Sequence, residues 1–157
     1  MRFARALVAN VSLPSLLLAL LFMAASLTPS LIPRPPVVQG VLGGLVMALG
    51  YLAGRITEAL WRASDLPRLR GRGAGIALAV ATVAVLGVLA WASVTSIEWQ
   101  NDVRVRMGLD PVEHGRWLLV SLIVIVVFVL LYMIGVAVQL LFRLVRAALY
   151  RVMPPRR

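Results

Sequence analysis

The sequence predicts an all-α polytopic membrane protein, a bundle of four transmembrane helices with the fourth extended into the cytoplasm. Three observations predict it. Of 157 residues, 61% are hydrophobic and only 14% are charged, far outside the composition of a water-soluble domain. The apolar residues fall into four long runs, at about 11–28, 37–55, 74–97 and 117–141. All 16 basic residues are arginines, and they flank those runs instead of interrupting them. The connectors are too short to hold a second core, so residues 1–157 read as one membrane domain.

The first run follows a short basic start, Arg2 and Arg5, and extends from Val11 to about Thr28. A charged start, an apolar middle and Ala24-Ala25-Ser26 also describe a cleavable signal peptide. The run is longer than a usual signal core and passes without a linker into the next segment, which favours a retained helix. Pro29, Pro33, Pro35 and Pro36 then impose a stiff reversal, and the last two fit the first turn of a following helix, where a missing N–H is harmless.

The second run is the most informative stretch. On a 100° wheel, Gly40, Gly43, Gly44, Met47, Gly50, Tyr51 and Gly54 lie within about 80° of one direction. Leu42, Leu45, Val46, Leu49, Leu52 and Ile56 lie opposite. Glycines inside a helix cost roughly 1 kcal/mol each relative to alanine, so a water-soluble helix would avoid them. In lipid, a glycine face lets a neighbouring helix approach closely. Gly40, Gly43, Gly44, Gly50 and Gly54 are therefore the expected helix-packing residues, with the first or third helix as the expected partner. Arg55 and Glu58, three residues apart at the end of this helix, suit a local ion pair or snorkelling.

Residues 26 to 62, SLTPSLIPRPPVVQG followed by GYLAG and a closing Leu-Trp-Arg, resemble the N-terminal membrane domain of a bacterial α/β-hydrolase family. In that family a bundle of transmembrane helices precedes a catalytic hydrolase domain. The resemblance is sharpest over this stretch and general elsewhere. It implies a domain that anchors a catalytic part not contained in this chain and offers it lipid-soluble substrate. The ending Pro154-Pro155-Arg156-Arg157 reads as a linker, which leads us to expect that the protein continues.

Beyond Arg62 a polar connector carries Arg68, Arg70 and Arg72 into the third run, which has a small pair, Ala77 and Ala81, and Trp91 and Trp99 towards its far end. Tryptophan there fits an interfacial belt, and arginines beside a span fit headgroup anchoring better than nucleic-acid binding. The connector Glu98 to Arg116 holds four of the six acids and the single histidine, His114. Asp110, Glu113 and His114 have the ligand types of a metal site, but Asp110-Pro111-Val112-Glu113 also has the order of a helix cap, and the cap accounts for every residue. From Pro111 no breaker occurs until about Met153. A helix of that length exceeds the bilayer, so Arg143, Arg146 and Arg151 emerge with Tyr150 towards anionic headgroups.

Arginine counts set the orientation. Twelve lie in the N-terminus, the second connector (Arg55, Arg62, Arg68, Arg70, Arg72) and the tail; four lie in the first and third connectors. The positive-inside rule then puts both ends in the cytoplasm, and the family resemblance makes the membrane a bacterial inner membrane.

No nucleophile elbow, phosphate loop or metal-ligand spacing occurs, so the residues predict no catalytic, cofactor or metal site. The absence of cysteine excludes thiol chemistry. The expected partners are a bilayer with anionic headgroups, a hydrolase domain of the same protein and a second copy of the chain, with no nucleic acid. Two other readings stay open: a structural or adaptor membrane protein that pairs through its glycine face, and a transporter subunit. The second lacks the mid-membrane acid, lysine or histidine usual in ion pathways.

Overall fold

The computed structural model describes residues 11–27, 35–67, 71–110 and 116–152, which form four helices and no strand. These are α1 (Leu13–Ser26), α2 (Pro36–Ala63), α3 (Arg72–Arg106) and α4 (Arg116–Val152). Their ends follow local chemistry. The Ser12 hydroxyl accepts from the backbone N–H of Ser15 at 3.4 Å, capping α1, and Pro14 sits in the first turn. Pro36 opens α2, where its missing donor is harmless. That helix stops before Asp65, whose φ of 49° no helix tolerates, and before Pro67. Gly71 and Gly108, with φ of 67° and 71°, bracket α3; both take the left-handed conformation that a side chain would disfavour.

Three helices are long and apolar enough to cross a membrane: α2, α3 and α4 over Trp117–Leu149. The four-span expectation is met only in part, because α1 has 14 residues, about 21 Å against a hydrocarbon core of about 30 Å. The other helices outrun their predicted spans. α2 continues past Arg55 to Ala63 because nothing breaks it sooner. Nor does α3 stop at Ile97. The polar stretch Glu98–Arg106, expected as connector, extends it by more than two turns, with the Asp102–Arg106 pair at 3.0 Å across one turn. The proline reversal, Arg68, Arg70 and the cap at Pro111–Glu113 with His114 lie outside the described residues.

The helices are not equally shared. α2 packs against both α1 and α4, whereas no Cα of α3 comes within 8 Å of any helix except α1. Gly54 faces Ser15, Gly50 faces Ala19 and Phe22, and Gly43 lies nearest Ser26 on that side, so α1 and α2 run antiparallel. Gly40 faces Ile123 and Gly44 faces Val127, so α2 and α4 run parallel. The buried core, Ala19, Met47, Val120 and Val124, with Leu16, Leu20, Met23, Tyr51 and Phe128 packed on it, lies where these three helices meet. On the outer side Leu42, Leu45, Leu49, Leu52 and Ile56 are all exposed. For a chain in lipid this is the side that acyl tails cover.

Candidate functional site

Among the described glycines, those of α2 are the ones where an added Cβ would meet a neighbouring helix. A Cβ built on Gly44 would stand 2.6 Å from Val127 Cβ and 3.0 Å from the Val124 carbonyl oxygen. At Gly40 it would stand 2.6 Å from Ile123 Cβ, and at Gly54 2.6 Å from Ser15 Cα. Gly50 is equally tight, at 2.7 Å from Phe22 Cβ and 2.9 Å from Ala19 Cα, and Gly43 comes 2.9 Å from Val124 Cγ2. One helix face thus serves two partners: its first half meets α4 and its second half meets α1. The third helix, one of the two expected partners, does not touch it.

Register then brings polar groups together. The start of α1, the end of α2 and the second half of α4 reach the same level. There the hydroxyls of Ser12 and Ser15 both donate to Glu58 Oε1, the latter at 2.8 Å. Arg55 Nη1 donates to Glu58 Oε2 at 3.3 Å, the local pair that the spacing suggests. The Ser12 N–H donates to the Tyr51 hydroxyl at 3.2 Å. A carboxylate that accepts from two hydroxyls and a guanidinium is well compensated in an apolar setting. This knot ties α1 to α2 and would leave Glu58 poorly satisfied if they separated.

Sequence reasoning missed the serines. Their signal was two hydroxyls three apart, Ser12 and Ser15, in an otherwise apolar run. One acid near the end of the partner helix completed it. Without the register the two could not be matched.

Beside the knot, α2 and α4 line a lateral groove of about 470 Å³. Leu45, Leu49 and Leu52 line one wall, and Phe128, Leu131 and Val136 line the other. Arg55, Tyr132 and Gln139 supply its polar end, and Arg55 is the one charged residue on its lining. The aromatic floor is ordered by edge contacts: the Tyr51 ring meets Tyr132 at 5.4 Å and 86°, and Phe128 at 6.0 Å and 77°. A mostly apolar groove with a few convergent polar groups is the usual form of a small-molecule site.

The arginines expected to set the topology differ in exposure. Arg62, Arg72, Arg143 and Arg146 are exposed, Arg55 is half-buried in the knot, and the side chain of Arg151 is outside the described set. Trp91 and Trp99 are exposed on α3. Among the described residues no three His, Cys, Asp or Glu side chains lie close enough together to hold a metal ion.

The family model described as "Alpha/beta-hydrolase family N-terminus" matches residues 27–157, which covers the proline reversal, the glycine helix, the groove and everything after them. The chain belongs to that family. No curated protein and no solved structure matches it. Membership in the hydrolase N-terminus family agrees with the geometry. The described residues bring together a helix-packing face, an apolar groove and the cluster of Ser12, Ser15 and Glu58. The family is described as an α/β-hydrolase family N-terminus, and three of the helices are long and apolar enough to cross a membrane.

Proposed function

We propose that this chain is the membrane-embedded N-terminal domain of an α/β-hydrolase, holding the catalytic part at a bacterial inner membrane and presenting lipid-soluble substrate to it. The observation that carries the reading is the family match over residues 27–157 on a chain whose helices are apolar and exposed to their surroundings. Membrane insertion accounts for side chains such as Val83, Leu118 and Phe142, each more than 70% exposed at 72%, 79% and 73%, which water would not tolerate in such numbers.

In this reading α1 is the fourth span, completed by its apolar flanks and by local thinning of the bilayer. Both ends lie in the cytoplasm. The arginine split supports that orientation, and so does the common level of the α1 start, the α2 end and the later part of α4. The exposed continuation of α4, with Arg143 and Arg146, runs along anionic headgroups and leads towards the catalytic part.

Reporter fusions test the arrangement. A reporter after Arg157 should be active only as a cytoplasmic marker, and one inserted near Asp102 only as an external marker. Both on the same side would end the four-span arrangement. Release of the chain from membranes by alkaline carbonate would end the membrane reading altogether.

A further inference from the structure

We propose that the groove between α2 and α4 binds a single-chain fatty acid drawn from the surrounding leaflet, its tail along Leu45, Leu49 and Leu52 and its carboxylate at Arg55. This deepens the proposed function and rests on the chain being in a membrane.

Size comes first. A volume of about 470 Å³ lies within the range of sites for one small molecule, about 300–1,000 Å³. Depth comes next. From Leu45 to Arg55 the groove follows ten residues of helix, about 15 Å, or half of the roughly 30 Å hydrocarbon thickness. That is one leaflet, with the polar end at headgroup level. Access is lateral, because Leu49 and Leu52 are 60% and 55% exposed.

Charge then selects the head. Arg55 is the one ionised group on the lining, and a guanidinium offers five donors in a fork that matches a carboxylate. Glu58 takes one of them through Nη1, and Arg62, one turn further on, adds a second positive charge to the same end of α2. The guanidinium of Arg55 keeps further N–H donors for a second carboxylate beside its one bond to Glu58. Gly135 keeps the middle of the groove open: an added Cβ would meet nothing within 4 Å.

The chain in nanodiscs of phosphatidylcholine, exposed to a photoreactive palmitate analogue or to the matching fatty alcohol, tests this. The palmitate label should map to α2 and α4 around Leu49 and Leu131, and unlabelled palmitate should displace it. Arg55→Gln should weaken palmitate about tenfold and leave the alcohol unchanged, the loss expected for one charge-assisted hydrogen bond. Gly135→Leu fills the groove where there is room for a side chain, so it should abolish labelling while the helical spectrum is kept and the thermal midpoint stays at or above the parent value.

Palmitate labelling that survives Gly135→Leu, or alcohol labelling weakened equally by Arg55→Gln, would overturn the site. Label displaced by phosphatidylglycerol and not by palmitate would overturn the fatty acid as occupant. Either result leaves membrane anchoring standing. Failure of the chain to enter nanodiscs at all would bring down both readings.

Discussion

Gly44→Leu tests the α2 face most directly. Its Cβ position is 2.6 Å from Val127 Cβ and 2.7 Å from Val127 Cγ1, with the Val124 carbonyl oxygen at 3.0 Å. Ordinary carbon contacts lie near 3.5–4.0 Å, so about 1 Å of separation must be found. Val127 is β-branched and stiff at χ1, and the carbonyl belongs to a helix, so neither yields alone. The two helices must move apart, which also loosens Gly40 against Ile123. Overpacking of this kind costs typically about 1–3 kcal/mol, and the backbone neighbour puts Gly44 at the upper end. Gly87→Leu is the matched control: the same substitution in α3, where an added Cβ meets nothing within 4 Å. It should be neutral or stabilising by up to about 1 kcal/mol, because leucine is the better helix former. Unfolding in mixed micelles, followed by circular dichroism, measures both. Equal destabilisation at Gly44 and Gly87 would refute the argument, since only the first has a neighbour to displace.

Further outcomes follow from the same geometry. Gly43→Ala should cost less than Gly44→Ala, because the atom at 2.9 Å is a Val124 methyl and no backbone atom lies as near; the same unfolding assay ranks them. Glu58→Leu removes the acceptor of both serine hydroxyls and should destabilise by about 1–3 kcal/mol, with Glu58→Gln milder because its amide oxygen still accepts. Ser96→Leu, at a buried position of α3, whose one helix neighbour is α1, should loosen α3 and leave the α2–α4 contact in place, seen as faster hydrogen exchange concentrated in α3. The purified chain should hydrolyse ester substrates no faster than a detergent blank; turnover abolished by Ser30→Ala or His114→Ala would reveal an overlooked catalytic site.

The start of α2 was legible in the sequence, because Pro35 and Pro36 fit a first helical turn, whereas the Ser12 cap of α1 and the positive-φ glycines Gly71 and Gly108 beside α3 emerge only from the structure. Helix ends were misjudged where apolar spans were equated with helices. Hydropathy reports where lipid can lie, and Glu98–Arg106 shows that a helix continues through a polar stretch while nothing breaks it. The sequence wheel likewise gives a direction without naming what lies there. It places Gly40, Gly44, Gly50 and Gly54 on one side, yet a direction on one helix is compatible with any neighbour.

The choice of neighbour depends on what fills a glycine notch. Small residues were the expected complement, and Ala77 with Ala81 on α3 made that helix a natural partner. At Gly50 and Gly54 the first helix does supply small residues, Ala19 and Ser15, whereas at Gly40 and Gly44 the notch is filled by a ridge on α4, Ile123 and Val127, four apart like the glycines they meet. β-Branched residues suit this role because they enter with little rotamer freedom to lose. On α3 the glycines Gly73, Gly75 and Gly87 face nothing within 4 Å, so glycine alone does not make an interface. The signal that separates the cases is pairwise. Each glycine pair of α2 becomes a contact because a second helix has side chains in register with it, Ile123 and Val127 for Gly40 and Gly44, Ala19 and Ser15 for Gly50 and Gly54. The groove follows from the same fit. Beyond the ridge that seats Gly40 and Gly44, the two parallel helices go on to line the groove from Leu45 and Phe128 to Arg55 and Gln139.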